Sequence, residues 1–165
     1  MTRFAETDRL AAVRLNEGRP RARTPEIQHE LDVAIFDLVE QNRFRITPRD
    51  GQKIPAGPYD LSIGMAERML VIDVTNGTGE PAAALHLSLS PLRGVIKDYF
   101  TICASYFDAV KRLPPSRIEA IDMGRRGIHN EGARILSERL EGKVETDHDT
   151  ARRLFTVICA LQFQG

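Results

Sequence analysis

The chain has 165 residues, 42% hydrophobic and 28% charged, enough for one buried core, with no drift toward disorder or a fibrous repeat. Lysine plus arginine and aspartate plus glutamate both total 23, so no global field draws it to nucleic acid or to an anionic membrane. The first residues lack the apolar stretch of a signal peptide, and no apolar run approaches the roughly 20 residues of a spanning helix.

Cys103 and Cys159 each lie in an apolar helical run, where they read as small buried hydrophobes and not as a disulfide. The expected compartment is therefore the cytoplasm. A single domain over residues 1–165 is expected.

Residues 10–16 (LAAVRLN) read as a first strand. Six arginines precede Thr24, against three acidic residues. Residues 1–23 could be a basic arm that binds nucleic acid weakly, but no aromatic side chains interleave the arginines. A flexible or edge-strand arm is the preferred reading.

Thr24-Pro25-Glu26 is a helix start, with a hydroxyl for the cap, proline at the first turn and a carboxylate near the positive end of the dipole. Ile27, Leu31, Ile35 and Leu38 then recur at helical spacing, with Ala34 and Val39 widening the stripe, so the helix runs to about Asn42 and buries one face. His29, amid Glu26, Glu30 and Asp32, reads as exposed. Prolines and glycines crowd residues 47–58 and mark a loop.

Beyond that loop the period changes to two. Tyr59, Leu61 and Ile63, then Leu70, Ile72 and Val74, then Leu85, Leu87 and Leu89 define three strands joined by short connections, an antiparallel meander. His86 falls on the polar face of its strand. The apolar residues from Leu92 to Val110 cover over half the circumference of the next helix, which reads as the central buried one. The expected fold is α+β: a meander of three to five strands packed on the N-terminal helix and a C-terminal helical subdomain.

Ser116 and Glu119 have the spacing of a capping box. The glycines at 124 and 127 predict a break in the helix that follows, with Asn130 a candidate cap for a second helix ending at Gly142. Converging amides at Gly124 and Gly127, a helix N-terminus, and the planar donors of Arg125 and Arg126 have the parts of an anion site. His129 and Glu131 are candidates for a proton-transfer pair, with Asp122 to orient the imidazole.

The alternative is that the glycines only turn the chain while these charges pair among themselves. Neither a Walker loop nor a GxGxxG fingerprint is present, and no metal is expected, since HExxH and paired CxxC are absent. Asp147-His148-Asp149 reads as the cap of a last helix. Val157 and Phe163 on that helix are extra apolar residues that could meet a second subunit, giving a homodimer.

Residues 118–132 (IEAIDMGRRGIHNEG), 150–159 (TARRLFTVIC) and 96–103 (IKDYFTIC) resemble a bacterial family, uncharacterised protein family 0262, over nearly the whole chain after residue 24. The resemblance implies no activity and no cofactor. The expectation is a cytoplasmic binding or regulatory module whose Arg125, Arg126 and His129 corner engages an anionic group on a metabolite or protein partner. The alternative is a small hydrolase or phosphoryl-transfer enzyme using His129 and Glu131.

Overall fold

The computed structural model describes residues 4–18 and 22–163. Residues 1–3 and 19–21 of the expected arginine-rich arm lie outside them. The rest of that arm supplies strand β1 (Leu10–Asn16), and the first helix, α1 (Pro25–Glu40), begins where its signals lie. The Thr24 hydroxyl accepts from the Ile27 amide at 3.2 Å, and Pro25 sits in the first turn.

Strands β3 (Tyr59–Ala66), β4 (Met69–Asn76) and β5 (Pro81–Ser88) form the antiparallel meander expected from their alternation. Leu61, Ile63, Ile72, Val74, Leu85 and Leu87 are buried, while Asp73, Ala84 and His86 on the opposite face are exposed. The β4–β5 turn is held by Asn76, whose Oδ1 accepts from the Thr78 and Glu80 amides at 3.1 and 3.0 Å, and Gly79 supplies a φ of +81°.

β1 extends this sheet by pairing with β3 in parallel, giving the order β1-β3-β4-β5 with β1 at an edge. A parallel neighbour requires a crossover, and α1 lies on it. A second ribbon, which alternation did not reveal, pairs β2 (Phe44–Ile46) with β6 (Val144–Thr146) in antiparallel fashion. Buried Asn42 ties these pieces together. Its amide accepts from the Leu10 N–H at 2.6 Å and donates to the carbonyls of Leu10 and Leu38.

After a 3-10 turn at Ser90–Leu92 come α2 (Arg93–Arg112), α3 (Pro115–Leu140) and α4 (His148–Gln162). The Asp147 carboxylate caps α4 by accepting from the Thr150 amide at 3.1 Å, as its sequence suggested. The fold is α+β, and its central buried helix is α4. Leu154, Phe155, Val157, Ile158, Cys159, Ala160 and Leu161 are all at most 3% exposed.

The expectation that α2 fills this place is corrected. In the second half of α2 only Cys103 and Ala109 are buried, while Val110 is 53% exposed, because this half pairs with the start of α3 in a two-helix hairpin. Val157 is likewise inside the chain's own core, and Phe163 packs edge-on against Phe100 at 5.6 Å, so Val157 offers no surface to a second subunit. Among the described residues no helix is long and apolar enough to cross a membrane.

Candidate functional site

The predicted corner lies on α3, and α3 is continuous. It runs 26 residues through Gly124 and Gly127 without a break. The expected capping box is not formed: Pro114 is the N-cap, Pro115 takes the first helical position, and Ser116 therefore falls inside the helix with its hydroxyl exposed.

Two interior glycines cost a helix roughly 1 kcal/mol each relative to alanine, which is why they look like a break. Packing outweighs that cost here, because Ala133, Leu136 and Leu140 on the same helix are fully buried. Interior amides are spent on the helical ladder, so Gly124 and Gly127 present no convergent N–H groups to an anion. Nor is Asn130 a cap, since it lies in the helix interior, just past the midpoint. Gly142, at φ +79°, does follow the helix end as predicted.

Arg125 is enclosed by groups of its own chain. Its Nε and Nη2 donate to Asp122 Oδ1 at 3.2 and 2.9 Å, its Nη1 donates to Glu30 Oε1 of α1 at 3.0 Å, and its guanidinium lies 4.3 Å over the Tyr106 ring of α2. Burial disfavours its charge, but Asp122 and Glu30 outweigh burial and hold the guanidinium protonated. The arrangement joins three helices.

Arg126 points outward, three-quarters exposed, and pairs with Asp122 Oδ2 at 3.1 Å. Asp122 thus bridges both arginines.

His129 and Glu131 are parted by the helix itself, since two residues turn the side chains through about 200°. His129 is 8% exposed, stacked on Tyr99 at 5.3 Å and edge-on to Phe155 at 6.4 Å. Burial, with the charges of Arg125 and Arg152 nearby, pushes it down to about 4, so the imidazole is neutral at physiological pH, and its Nε2 has no partner. Glu131 faces solvent on the other side and receives two hydrogen bonds from Arg134, at 3.1 and 2.5 Å. Those bonds hold its carboxylate below the usual range.

The same helix lines a cleft of about 790 Å³. Asn130, Arg134, Ser137 and Glu141, spaced by four, three and four residues, place one face of α3 along it. Opposite lie β6, His148 at the start of α4, and Thr47. The His148 Nε2 and Asn130 Oδ1 are 3.1 Å apart across the cleft's edge. Arg134 is held in a fixed pose between Glu131 and Glu138, to which its Nη1 donates at 2.6 Å.

Buried Leu140 and Val144 contribute apolar surface to the lining, and the Thr47 hydroxyl is buried with no hydrogen-bond partner. The lining carries Glu138, Glu141 and Glu145 with Arg134 and His148, and Glu138 pairs with Arg134 while Glu145 pairs with Arg45.

Of the eight residues singled out from the sequence, Asn130 alone lines this cleft, and Glu131 touches it indirectly by holding Arg134. His148, Arg134, Ser137 and Thr47 were missed. The polar spacing along α3 was a readable signal, but its alignment with residues 47 and 144–148 depends on tertiary contacts.

Metal-binding geometry is absent among the described residues: no cluster of three or more His, Cys, Asp or Glu is placed to hold an ion. Both cysteines are buried free thiols; burial pushes Cys103 up to about 11 and Cys159 well above the ordinary thiol range.

No solved structure matches the chain. It is 57% identical to the UPF0262 protein of Roseobacter denitrificans over 157 residues, 95% of this chain and 99% of that one. It is 62% identical to the UPF0262 protein of Dinoroseobacter shibae over 140 residues, 85% and 88% of the two chains. To that of Paracoccus denitrificans it is 56% identical over 154 residues, 93% and 95%. The sequence model described as Uncharacterised protein family (UPF0262) matches residues 7–164, and the chain belongs to that family.

Proposed function

We propose that this chain is a cytoplasmic, non-catalytic binding module of regulatory type that takes a small molecule bearing amino or hydroxyl groups in the cleft between α3, β6 and the start of α4. The cleft carries this reading. Its volume of about 790 Å³ falls in the roughly 300–1,000 Å³ range of small-molecule sites, and it combines an apolar base with a few fixed polar groups. The Glu141 carboxylate and the Asn130 and Ser137 side chains favour a ligand that donates hydrogen bonds.

The anion reading attached to Arg125 and Arg126 has weaker support, because Arg125 already spends its donors on Asp122 and Glu30. The hydrolase reading needs His129 and Glu131 on one substrate, and the helix places them on opposite sides.

The test is protection against heat unfolding by millimolar putrescine, a diamine, and by inositol, a polyol, with inorganic phosphate as the opposing probe. The diamine or the polyol raises the melting temperature of the parent, and His148→Ala with Asn130→Ala removes the effect. Protection by phosphate alone, lost on Arg126→Ala, would restore the anion reading and sink this one.

A further inference from the structure

Among the described residues, the large hydrophobic side chains left exposed are confined to two elements. Phe36 (64%), Val33 (42%) and Val39 (40%) lie on the face of α1 opposite its buried Ile27, Leu31, Ala34 and Leu38. Met123 (66%), Val110 (53%) and Leu113 (37%) lie on the α2–α3 hairpin and its turn. Helix α1 thus carries a second apolar stripe, edged by acidic side chains, that its own chain does not bury.

The charges flanking these residues are complementary. Helix α1 carries Glu26, Glu30, Asp32, Asp37 and Glu40 and no lysine or arginine. The hairpin from residue 108 to 126 carries Lys111, Arg112, Arg117, Arg125 and Arg126 against Asp108, Glu119 and Asp122, a basic excess of two, with Arg112 pairing with Asp108 and Arg126 with Asp122. Within one chain the same attraction already operates once, in the Arg125 to Glu30 contact at 3.0 Å, which also sets the two elements side by side.

We propose that this side of the molecule is a homodimer interface in which α1 of each protomer docks on the hairpin of its partner about a two-fold axis. Each chain carries both halves of the contact, so the contact forms twice and closes. Phe36 is the apolar anchor at the centre of the α1 half, and the acidic and basic side chains form the rim that sets orientation. This inference is independent of the cleft.

Sedimentation equilibrium and light scattering on the full chain test it. The parent has twice the 18.5 kDa chain mass, and its dimer weakens as salt is raised. Phe36→Glu, at a side chain 64% exposed, keeps the parental circular dichroism and raises the dimer dissociation constant roughly tenfold or more.

A charge exchange guards against misfolding as the cause. One variant combines Glu26→Lys, Asp32→Lys and Glu40→Lys; the other combines Lys111→Glu, Arg112→Glu and Arg117→Glu. Each is monomeric alone, and their equimolar mixture recovers the dimer. A monomeric parent, a dimer indifferent to Phe36→Glu, or a mixture that stays monomeric overturns the proposal.

Discussion

Replacing Gly127 by alanine asks whether α3 is continuous. At Gly127 the backbone is helical, φ is not positive, and an added Cβ meets nothing within 4 Å. Alanine therefore gains the full propensity difference of about 0.5–1 kcal/mol with no steric cost. For a chain of this size that is roughly 1–4 °C in melting temperature.

Five residues on, Gly132 gives the opposite result in the same helix. Its Cβ would lie 2.5 Å from ring carbons of Phe155, a wholly buried residue of α4, so alanine there costs about 1–3 kcal/mol or more. Urea denaturation followed by circular dichroism reads both, as midpoint shifts of opposite sign with an unchanged slope. A destabilised Gly127→Ala would mean that this glycine holds a non-helical turn, and the account of the corner would fail.

Two further substitutions probe the same corner. His129 is neutral and held at about 4 in the fold against 6.5 when unfolded, so below pH 6.5 the unfolded chain binds a proton that the folded chain does not. Stability falls as pH drops from 6.5 to 4, by up to about 3 kcal/mol from this group, and His129→Phe flattens that part of the profile; an unchanged profile would contradict it. Arg125→Ala, which leaves Glu30 and Asp122 unpaired and Tyr106 uncovered, costs about 2–3 kcal/mol, and Arg125→Lys recovers little because the planar fork is lost; an Ala variant of parental stability would return Arg125 to the candidate ligands.

What was legible in the sequence was what local chemistry decides. Thr24-Pro25, the period-two strands at 59–88, Asp147 before α4 and Gly142 after α3 each act through neighbours in sequence. The misreadings share one cause. Gly124, Gly127 and Ser116 carry local signals for a break and a cap, and burial of the same helix against α2 and α4 overrides them.

Strand β2 is three residues long, and its Arg45 finds Glu145 one hundred residues away, a pairing that no window along the chain can see. The parallel placement of β1 and the depth of α4 depend equally on distant partners. The cleft is the extreme case: Asn130, Glu145, His148 and Thr47 come from four separate elements or loops, and only the fold brings them together.

The central claim is that ligand recognition resides at His148 and Asn130 and that the Arg125 corner serves structure. Titration of the isotope-labelled full chain with putrescine, followed by nuclear magnetic resonance, tests it directly. The account predicts shifts confined to residues lining the cleft, led by the His148 ring and the Asn130 side-chain amide, with Arg125, Arg126 and His129 unmoved. Shifts centred on Arg125 and Arg126, with His148 unmoved, would contradict it.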